Sequence, residues 1–418
     1  MARTMKDSGI PWVGKVPSGW EVKRLQWMLK ELNEINSPVK SEFILSLTND
    51  RGVIPYSEKG NQGNKAKQDL SGYKLAYKKC IIANSMNIII GSVGLSNYDG
   101  CVSPVYYVFK PMECCDVHFV NYIFQTSVFQ RELRKYAKGI LEIRLRISSW
   151  AILKQKIPFP PLPEQKRIAE YLDGVTGTID GLREKISREI ERLGDWRKSV
   201  ITEAVCHGID KNKYSVSTGI FWQPVMPNGW RVTKLKYVLT KLNRPVAKGS
   251  ELLICTNKGK VSKRGDSSIG LVAKDDSIYQ GVQNGDLLIH GMDTWHGAIA
   301  VSGFDGMCTP VVHVCDSCED KRFVAYYLRS MAREKIFKLI SNSVRQNSSD
   351  LRSWEKVGRI PIVLPPIEEQ RRIAHYLLAQ ESLIDVMIAK RKTELDRLES
   401  LKRSIICECV TGKRAVSG

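Results

Sequence analysis

The sequence repeats itself, and this internal duplication constrains the fold more than any other feature. Pro17–Trp20 (Pro-Ser-Gly-Trp) returns as Pro227–Trp230 (Pro-Asn-Gly-Trp), a shift of 210. Glu164–Leu172 returns as Glu369–Leu377 with seven of nine residues identical, a shift of 205. The shift differs between the two motifs because small loop insertions change the spacing between them. The pattern therefore predicts a tandem duplication in which both copies adopt the same fold.

Each copy divides into a globular part and a long helix. The globular parts alternate β-rich runs with Gly, Asn and Ser turns and contain short helical stretches, which is typical of an α+β domain. Prolines mark the boundaries at 158–163 and 361–366, where a strand ends and a helix can begin. The sequence predicts an α+β chain with domains at 1–160 and 208–364 and helices at 161–207 and 365–418.

Both predicted helices carry the same apolar stripe at alternating steps of three and four residues. This spacing is typical of a coiled-coil seam and predicts that the two helices pair antiparallel, as a rod ~60 Å long. Gln380 and Arg391 interrupt the stripe, and they either fix the register of the pair or face solvent. The predicted seam consists of Ile168, Leu172, Ile179, Leu182, Ile186, Leu193, Ile373, Leu377, Ile384, Met387 and Leu398.

The charge of the chain favours a polyanionic partner. There are 64 Lys and Arg residues against 44 Asp and Glu, for a net charge of +20. Nucleic acid is the favoured partner, with ribosomal, membrane-surface and purely solvated roles as alternatives. The N-terminal residues have no apolar signal core and no run is long enough to span a membrane, so we expect a cytoplasmic protein. The odd count of 11 cysteines argues against a full set of disulfides.

Two similar domains held apart by a stiff spacer suit a target with two separated reading sites. Double-stranded DNA is such a target, because equivalent positions on one face recur about every 34 Å. The framework residues match between the copies while the intervening loops differ. We therefore expect two different half-sites and an asymmetric target.

These features resemble one family, the specificity subunits of type I restriction–modification enzymes. The resemblance rests on the Pro-x-Gly-Trp openings, on the motifs at 162–169 and 366–374, and on the helix ends at 201–205 and 406–413. One departure is Cys206-His207-Gly208, which stands where the other copy has Thr411-Gly412-Lys413.

The resemblance implies two target-recognition domains that each read half of a bipartite DNA site. It also implies two adenine-N6 methyltransferase subunits and ATP-dependent restriction subunits as partners. S-adenosylmethionine, ATP and magnesium would then bind those partners, and this chain would carry no cofactor. The alternative is a stand-alone sequence-specific repressor.

The sequence shows no convincing catalytic constellation. It lacks a phosphate-binding Gly-x-x-x-x-Gly-Lys-Ser/Thr loop and the Asn/Asp-Pro-Pro-Tyr/Phe segment of amino-methyltransferases. Glu21 and Lys23 have nuclease-like spacing, but a charged surface strand explains them better. Cys308, His313, Cys315 and Cys318 lack the second ligand pair of a structural zinc site. We therefore predict no catalytic or metal-binding residue.

The predicted DNA contacts are basic and amide side chains in the diverging loops, because Arg and Lys suit guanine and phosphate while Asn and Gln suit adenine. A merely solvated loop remains the alternative for about half of them. Trp20, Trp150, Trp230 and Trp354 recur and are interpreted as core anchors. The candidates are Arg51, Lys59, Asn61, Gln62, Asn64, Lys65, Lys67, Asn84, Asn87, Arg144 and Arg146 in the first copy, and Lys258, Lys260, Lys263, Arg264, His290, Asp293, Trp295, Arg345, Gln346, Asn347 and Arg352 in the second.

Overall fold

The computed structural model describes residues 3–48, 51–60, 65–137, 145–210, 214–265, 278–340 and 351–416. The chain forms two compact units, and both long helices are divided between them. The first unit comprises Met1–Ile186 and Lys392–Gly418, and the second comprises Ser187–Arg391. Among the described residues, no helix combines the length and the apolar character needed to cross a membrane.

The first half of the chain contains twelve described strands, three short helices and one long helix. The strands are β1 (Met5–Asp7), β2 (Lys15–Pro17), β3 (Glu21–Arg24), β4 (Leu29–Leu32), β5 (Leu45–Thr48), β6 (Gly52–Pro55), β7 (Lys74–Ala76), β8 (Ile81–Asn84), β9 (Val93–Leu95), β10 (Gly100–Val102), β11 (Tyr106–Pro111) and β12 (Lys156–Phe159). The helices are α1 (Val117–Gln125), α2 (Ser127–Arg134), α3 (Ser149–Leu153) and α4 (Leu162–His207).

The second half repeats this arrangement within its described residues. The strands are β13 (Ser215–Ile220), β14 (Gln223–Pro227), β15 (Arg231–Lys234), β16 (Thr240–Leu242), β17 (Leu253–Cys255), β18 (Val261–Lys263), β19 (Gln280–Val282), β20 (Leu287–His290), β21 (Ile299–Val301), β22 (Gly306–Cys308), β23 (Val312–Asp316) and β24 (Pro361–Leu364). The helices are α5 (Lys321–Arg333), α6 (Ile336–Ile340), α7 (Trp354–Gly358) and α8 (Ile367–Val410).

The two domains, β1–β12 and β13–β24, share one sheet topology. The larger sheet has the strand order β4-β11-β8-β9 in the first domain and β16-β23-β20-β21 in the second, antiparallel throughout. The two-stranded sheets β1-β2, β3-β12, β5-β6 and β7-β10 each have a counterpart in the second domain. The α+β tandem duplication predicted from the sequence is therefore confirmed.

Each domain packs its four-stranded sheet against the helices that follow β11 or β23. In the first domain Phe119 and Phe124 of α1 join Ile81 and Phe109 in one buried cluster. The start of each packing helix is fixed by an aspartate cap: the Asp116 carboxylate accepts a hydrogen bond from the Phe119 amide at 2.9 Å. Asp320 caps α5 in the same way. Such caps satisfy backbone N–H groups that the first helical turn leaves unpaired.

The Glu-Gln motif explains why α4 begins where it does. The Trp20 indole donates to Glu164 Oε2 at 3.0 Å. The fully buried Gln165 accepts from the Asp116 amide and donates to the Pro160 carbonyl, both at 2.8 Å. We call the contacts of this glutamine the amide clamp, because one side chain joins the last strand, the cap of α1 and the start of α4.

The second unit contains the same amide clamp. The Trp230 indole donates to Glu369 Oε2 at 3.2 Å. Gln370 accepts from the Asp320 amide at 3.0 Å and donates to the Pro365 carbonyl at 2.8 Å. Both copies therefore retain the motif because the joint between domain and helix needs it.

Two of the four recurring tryptophans are core anchors, as predicted. Trp20 and Trp230 are buried. Trp150 is 64% exposed, so its prediction is wrong: it lies on the outer side of α3, with Lys154 Nζ 3.9 Å from the centre of its ring. Trp354 is half-buried against the His313 ring.

Each long helix ends against a Pro-x-Gly-Trp turn of its own unit. After α8, Gly412 adopts φ +72°, and a Cβ there would lie 2.3 Å from Pro17 Cδ and 3.1 Å from Trp20. After α4, Gly208 (φ +79°) lies against Trp230. The irregular Cys206-His207-Gly208 therefore displaces the glycine by one position but keeps its contact with the tryptophan. The end of α8 thus completes the first unit, and the end of α4 completes the second.

The long helices run antiparallel within each unit. In the first unit Lys402 Nζ lies 2.7 Å from Asp180, and Arg183 lies 3.2 Å from Glu399. In the second unit Arg391 pairs with Glu189 at 2.9 Å, and Arg197 pairs with Asp385 at 2.5 Å. As residue numbers rise along α4, those of their partners on α8 fall. Arg391 therefore pairs across the helices instead of only facing solvent.

Seven of the eleven residues of the predicted seam are buried, and the other four are half-buried or exposed. Leu182 and Met387 are 43% and 41% exposed, whereas Leu193 and Leu398 are half-buried. Met387 lines a cavity together with Leu193 and Trp196. The buried seam residues are Ile168, Leu172, Ile179, Ile186, Ile373, Leu377 and Ile384. Several of them join the domain cores, so the helices bury their stripe against the domains as well as against each other.

We predict that Gln165→Ala destabilises the first unit strongly. The substitution leaves the Asp116 amide and the Pro160 carbonyl without their partner, which costs about 1–3 kcal/mol for each buried group. Urea unfolding measures the effect, with the exposed Lys166→Ala as the matched control. Equal unfolding midpoints for the two variants would contradict the clamp.

We predict opposite effects for two glycine substitutions. Gly412→Ala destabilises the chain, because a Cβ at φ +72° is strained and overlaps Pro17. Gly174→Ala stabilises it by about 1 kcal/mol, because this exposed glycine lies inside α4 with open space around it. Thermal unfolding of both variants tests the pair, and a neutral Gly412→Ala would show that the turn does not need its glycine.

Candidate nucleic-acid interface

A cavity of about 820 Å³ in the first domain brings five predicted contact residues together. Its walls include strand β5, the residues after β8, and the side chains of Tyr56 and Tyr73. Polar and basic side chains from separate parts of the sequence thus meet at one opening. The predicted residues that line it are Arg51, Lys59, Lys65, Asn84 and Asn87.

Local hydrogen bonds hold the walls of this cavity in place. The Arg51 guanidinium donates to the Glu58 carbonyl at 3.0 Å, and the Arg51 amide donates to Thr48 Oγ1 at 3.1 Å. Tyr56 Oη accepts from the Ala66 amide at 2.9 Å. Lys59 Nζ lies 5.5 Å from the centre of the Tyr56 ring. The basic side chains therefore stand on a braced loop, which limits the entropy that binding would cost.

Asn84 and Asn87 lie where β8 ends and a short 3₁₀ helix, Ile88–Ile90, begins. The buried Asn84 side chain accepts from the Met86 amide at 3.0 Å, which shapes the turn. The Ser85 backbone carbonyl accepts a hydrogen bond from the Ile147 amide at 3.1 Å. This contact places the exposed Arg146 beside the same turn. Lys67 is also exposed but does not line the cavity. Asn61, Gln62, Asn64 and Arg144 lie outside the described residues.

The second domain places different chemistry on the same backbone. His290 ends β20, and a 3₁₀ helix at Thr294–His296 follows, as after Asn84. The Asp293 amide donates to His290 Nδ1 at 3.1 Å. Burial lowers the pKa of His290, while the nearby Asp293 carboxylate acts in the opposite direction. A neutral imidazole that accepts at Nδ1 carries its proton on Nε2, where it can serve as a donor.

Trp295 and Arg352 lie near this turn. Lys338 Nζ is 5.5 Å from the centre of the half-buried Trp295 ring. The Arg352 guanidinium contacts Met292 Sδ at 3.0 Å. Gly291 is required here, since a Cβ would lie 2.8 Å from the Leu351 carbonyl oxygen. Arg345, Gln346 and Asn347 lie outside the described residues.

The remaining basic candidates surround the β17–β18 hairpin. Lys258 and Lys260 are exposed at its turn. The Lys263 ammonium pairs with Glu251, and the Arg264 amide donates to the Leu252 carbonyl at 2.9 Å. Lys263 is therefore already committed to an ion pair, whereas Lys258 projects from the turn.

Sequence reasoning missed the aromatic part of the first cavity. Tyr56, Tyr73 and Tyr106 line it together with Met86. Burial raises the pKa of Tyr106, so its phenol stays protonated. The available signal was the position of Tyr106 opposite Asn84 in the β8–β11 pair, which only the strand register reveals.

The residues that invited a catalytic or metal-binding interpretation have structural surroundings. Glu21 and Lys23 form an ion pair at 2.9 Å on β3. His313 Nε2 lies 2.8 Å from the Leu351 carbonyl oxygen, which requires a proton on Nε2. Burial raises the pKa of the Cys308 and Cys315 thiols to about 12. Within the described part of the chain, no three His, Cys, Asp or Glu residues converge as metal ligands.

Comparison with known proteins points to one family. Residues 17–192 match the model of the type I restriction modification DNA specificity domain. The putative type I restriction enzyme MjaX specificity subunit of Methanocaldococcus jannaschii is 25% identical over 432 residues, covering 96% of this chain and 95% of that protein. The EcoKI specificity subunit of Escherichia coli K12 is 21% identical over 326 residues, covering 73% and 67%.

Solved structures share the fold. One match comes from a structural study of complex assembly and conformational transition of the type I R-M system. Its TM-score is 0.71 at 15% identity, and it covers 96% of this chain and 99% of that one. The HsdS subunit of Thermoanaerobacter tengcongensis matches with a TM-score of 0.51 at 15% identity, covering 96% and 98%. In sequence and in its duplicated fold, the chain is therefore similar to the specificity subunits of type I restriction–modification systems.

Proposed function

We propose that the chain is the non-catalytic DNA-specificity subunit of a type I restriction–modification complex and reads a bipartite, asymmetric site. Each domain would read one half-site, and the paired helices would set the distance between the halves. The observation that carries the proposal is the turn after β8 and β20: the backbone is the same, but Asn84 and Asn87 are replaced by His290 and Asp293. An asymmetric target with two half-sites requires two domains that share a backbone and differ in the side chains that contact bases.

The side chains at these turns differ in the base edges that they suit. Asn pairs with the N6 and N7 positions of adenine, whereas Asp accepts from the cytosine N4 amino group. Arg51, Lys59 and Lys65 around the first cavity suit phosphates or guanine. The net charge of +20 supports a duplex as the ligand, since neutralised phosphates release counterions.

The proposed partners follow from the family. Two adenine-N6 methyltransferase subunits would dock on the duplicated framework, and ATP-dependent restriction subunits would join the complex. S-adenosylmethionine, ATP and magnesium would bind those partners and not this chain. The complex would act on double-stranded DNA in the cytoplasm.

We predict that Asn87→Ala and Asp293→Ala each relax specificity at a different half-site. Removing one base contact costs about 1–3 kcal/mol of discrimination, and 1.4 kcal/mol corresponds to tenfold. Selection of bound sequences from a random duplex library, using the complex assembled with its methyltransferase subunits, measures the effect. The exposed Lys15→Ala on β2 is the control and leaves both half-sites unchanged.

Two outcomes would contradict the proposal. If Asn87→Ala and Asp293→Ala relaxed the same base positions, the two domains would not read separate half-sites. If the isolated chain bound its site as tightly as the assembled complex, a stand-alone repressor would explain the protein better.

A further inference from the structure

Six charged side chains of the second unit meet beside the β17–β18 turn. They come from the second half of α4, from the turn, from the last part of α5 and from the first half of α8. We call them the charge cluster, defined as Arg197, Lys260, Arg329, Arg333, Glu381 and Asp385.

Each carboxylate of the charge cluster serves more than one partner. Asp385 accepts from Arg197 at 2.5 Å and lies 3.7 Å from Lys260 Nζ. Glu381 accepts from the Tyr326 hydroxyl at 2.7 Å and lies 3.8 Å from Arg329. The two carboxylates are therefore shared among three basic side chains, and Arg333 as the fourth gives the cluster an excess of positive charge.

Arg329 holds the β17–β18 turn in place. Its guanidinium donates to the Lys258 carbonyl at 3.1 Å and fills the space beside Gly259. It thereby fixes the turn that carries Lys260 against the rest of the cluster.

Arg333 is the cation of the cluster that keeps an unpartnered guanidinium nitrogen, although Glu381 offsets part of its charge. Its Nη1 atom is buried and has no hydrogen-bond partner among the described residues. Burial, and then the neighbouring Arg329, lower the pKa of Arg333 to about 10, and it still carries its charge at neutral pH. Buried charges are normally paired, because an unpaired one loses its hydration without compensation. An external anion would supply the missing partner.

The first unit lacks most of this arrangement. The position of Arg329 is taken by Gln125, and the position of Glu381 by Thr176, which contacts Tyr122. Helix α1 ends at Gln125, whereas α5 continues to Arg333. Among the described residues of the first unit, the pair between the helices is kept, as Asp180 with Lys402. The fold therefore does not require the charge cluster, which points to a role specific to the second half of the chain.

We propose that Arg333, with Lys260 at the exposed rim, binds one phosphate of the DNA backbone and so anchors the second domain on the duplex. This inference rests on the proposed function. A guanidinium presents paired N–H donors that match phosphate oxygens. A phosphate contact positions the domain without reading sequence, which suits a site next to the diverging readers.

The test compares Arg333→Gln with Arg359→Gln, which removes the same charge from the exposed residue that follows α7. Affinity of the assembled complex for its duplex is measured as a function of salt. Loss of one phosphate contact reduces the slope of log K against log salt by about 0.9. Arg333→Gln should show this reduction equally on cognate and scrambled DNA, Arg359→Gln should not, and Arg333→Lys should recover most of the wild-type slope.

Methylphosphonate substitution identifies the source of the anion. Neutralising the contacted phosphate should weaken the wild-type complex but leave Arg333→Gln unaffected. A wild-type slope in Arg333→Gln would overturn the inference. So would loss of methyltransferase subunits from Arg333→Gln in size-exclusion chromatography, because the anion would then be a carboxylate of a protein partner. If wild-type complex bound no duplex specifically, the proposed function itself would fail.

Discussion

The amide clamps at Gln165 and Gln370 are the contacts on which the rest of the structure depends. Each buried amide bonds to a strand end and to the cap of a packing helix while it begins a long helix. A side chain that satisfies two buried backbone groups at once tolerates little movement. The direction in which each long helix leaves its domain is therefore set by the same atoms that close the domain core.

A second constraint is that the C-terminal end of each long helix packs against a tryptophan of the unit that contains this end. The last turn of α8 packs in the first unit and the last turn of α4 in the second, through Gly412 and Gly208 against Trp20 and Trp230. Each unit thus needs chain from both halves of the sequence. Ion pairs such as Asp180–Lys402 and Arg197–Asp385 also join α4 to α8 within each unit. The two long helices are therefore part of the domain cores, and we do not expect them to fold independently of the domains.

Most of the framework could be predicted from the sequence, because duplication exposes the residues that both copies need. The two domains, both long helices and the buried Trp20 and Trp230 all follow from repeated motifs. Trp150 shows the limit, since recurrence does not reveal which side of a five-residue helix faces out. The charge cluster was missed because its members are far apart in sequence, and the tyrosines of the first cavity because only strand register brings Tyr106 beside Asn84. Divergent loops offer no internal repeat from which to infer their contacts.

We propose that the two domains read different half-sites on a common framework. Replacing residues 208–364 with residues 1–160 in the chain, and selecting duplexes bound by the assembled complex, tests it most directly. Because both copies present the same clamp and the same helix joints, we expect the hybrid to assemble and to select a site in which the first half-site occurs twice. Selection of the original asymmetric site by the hybrid would contradict the account.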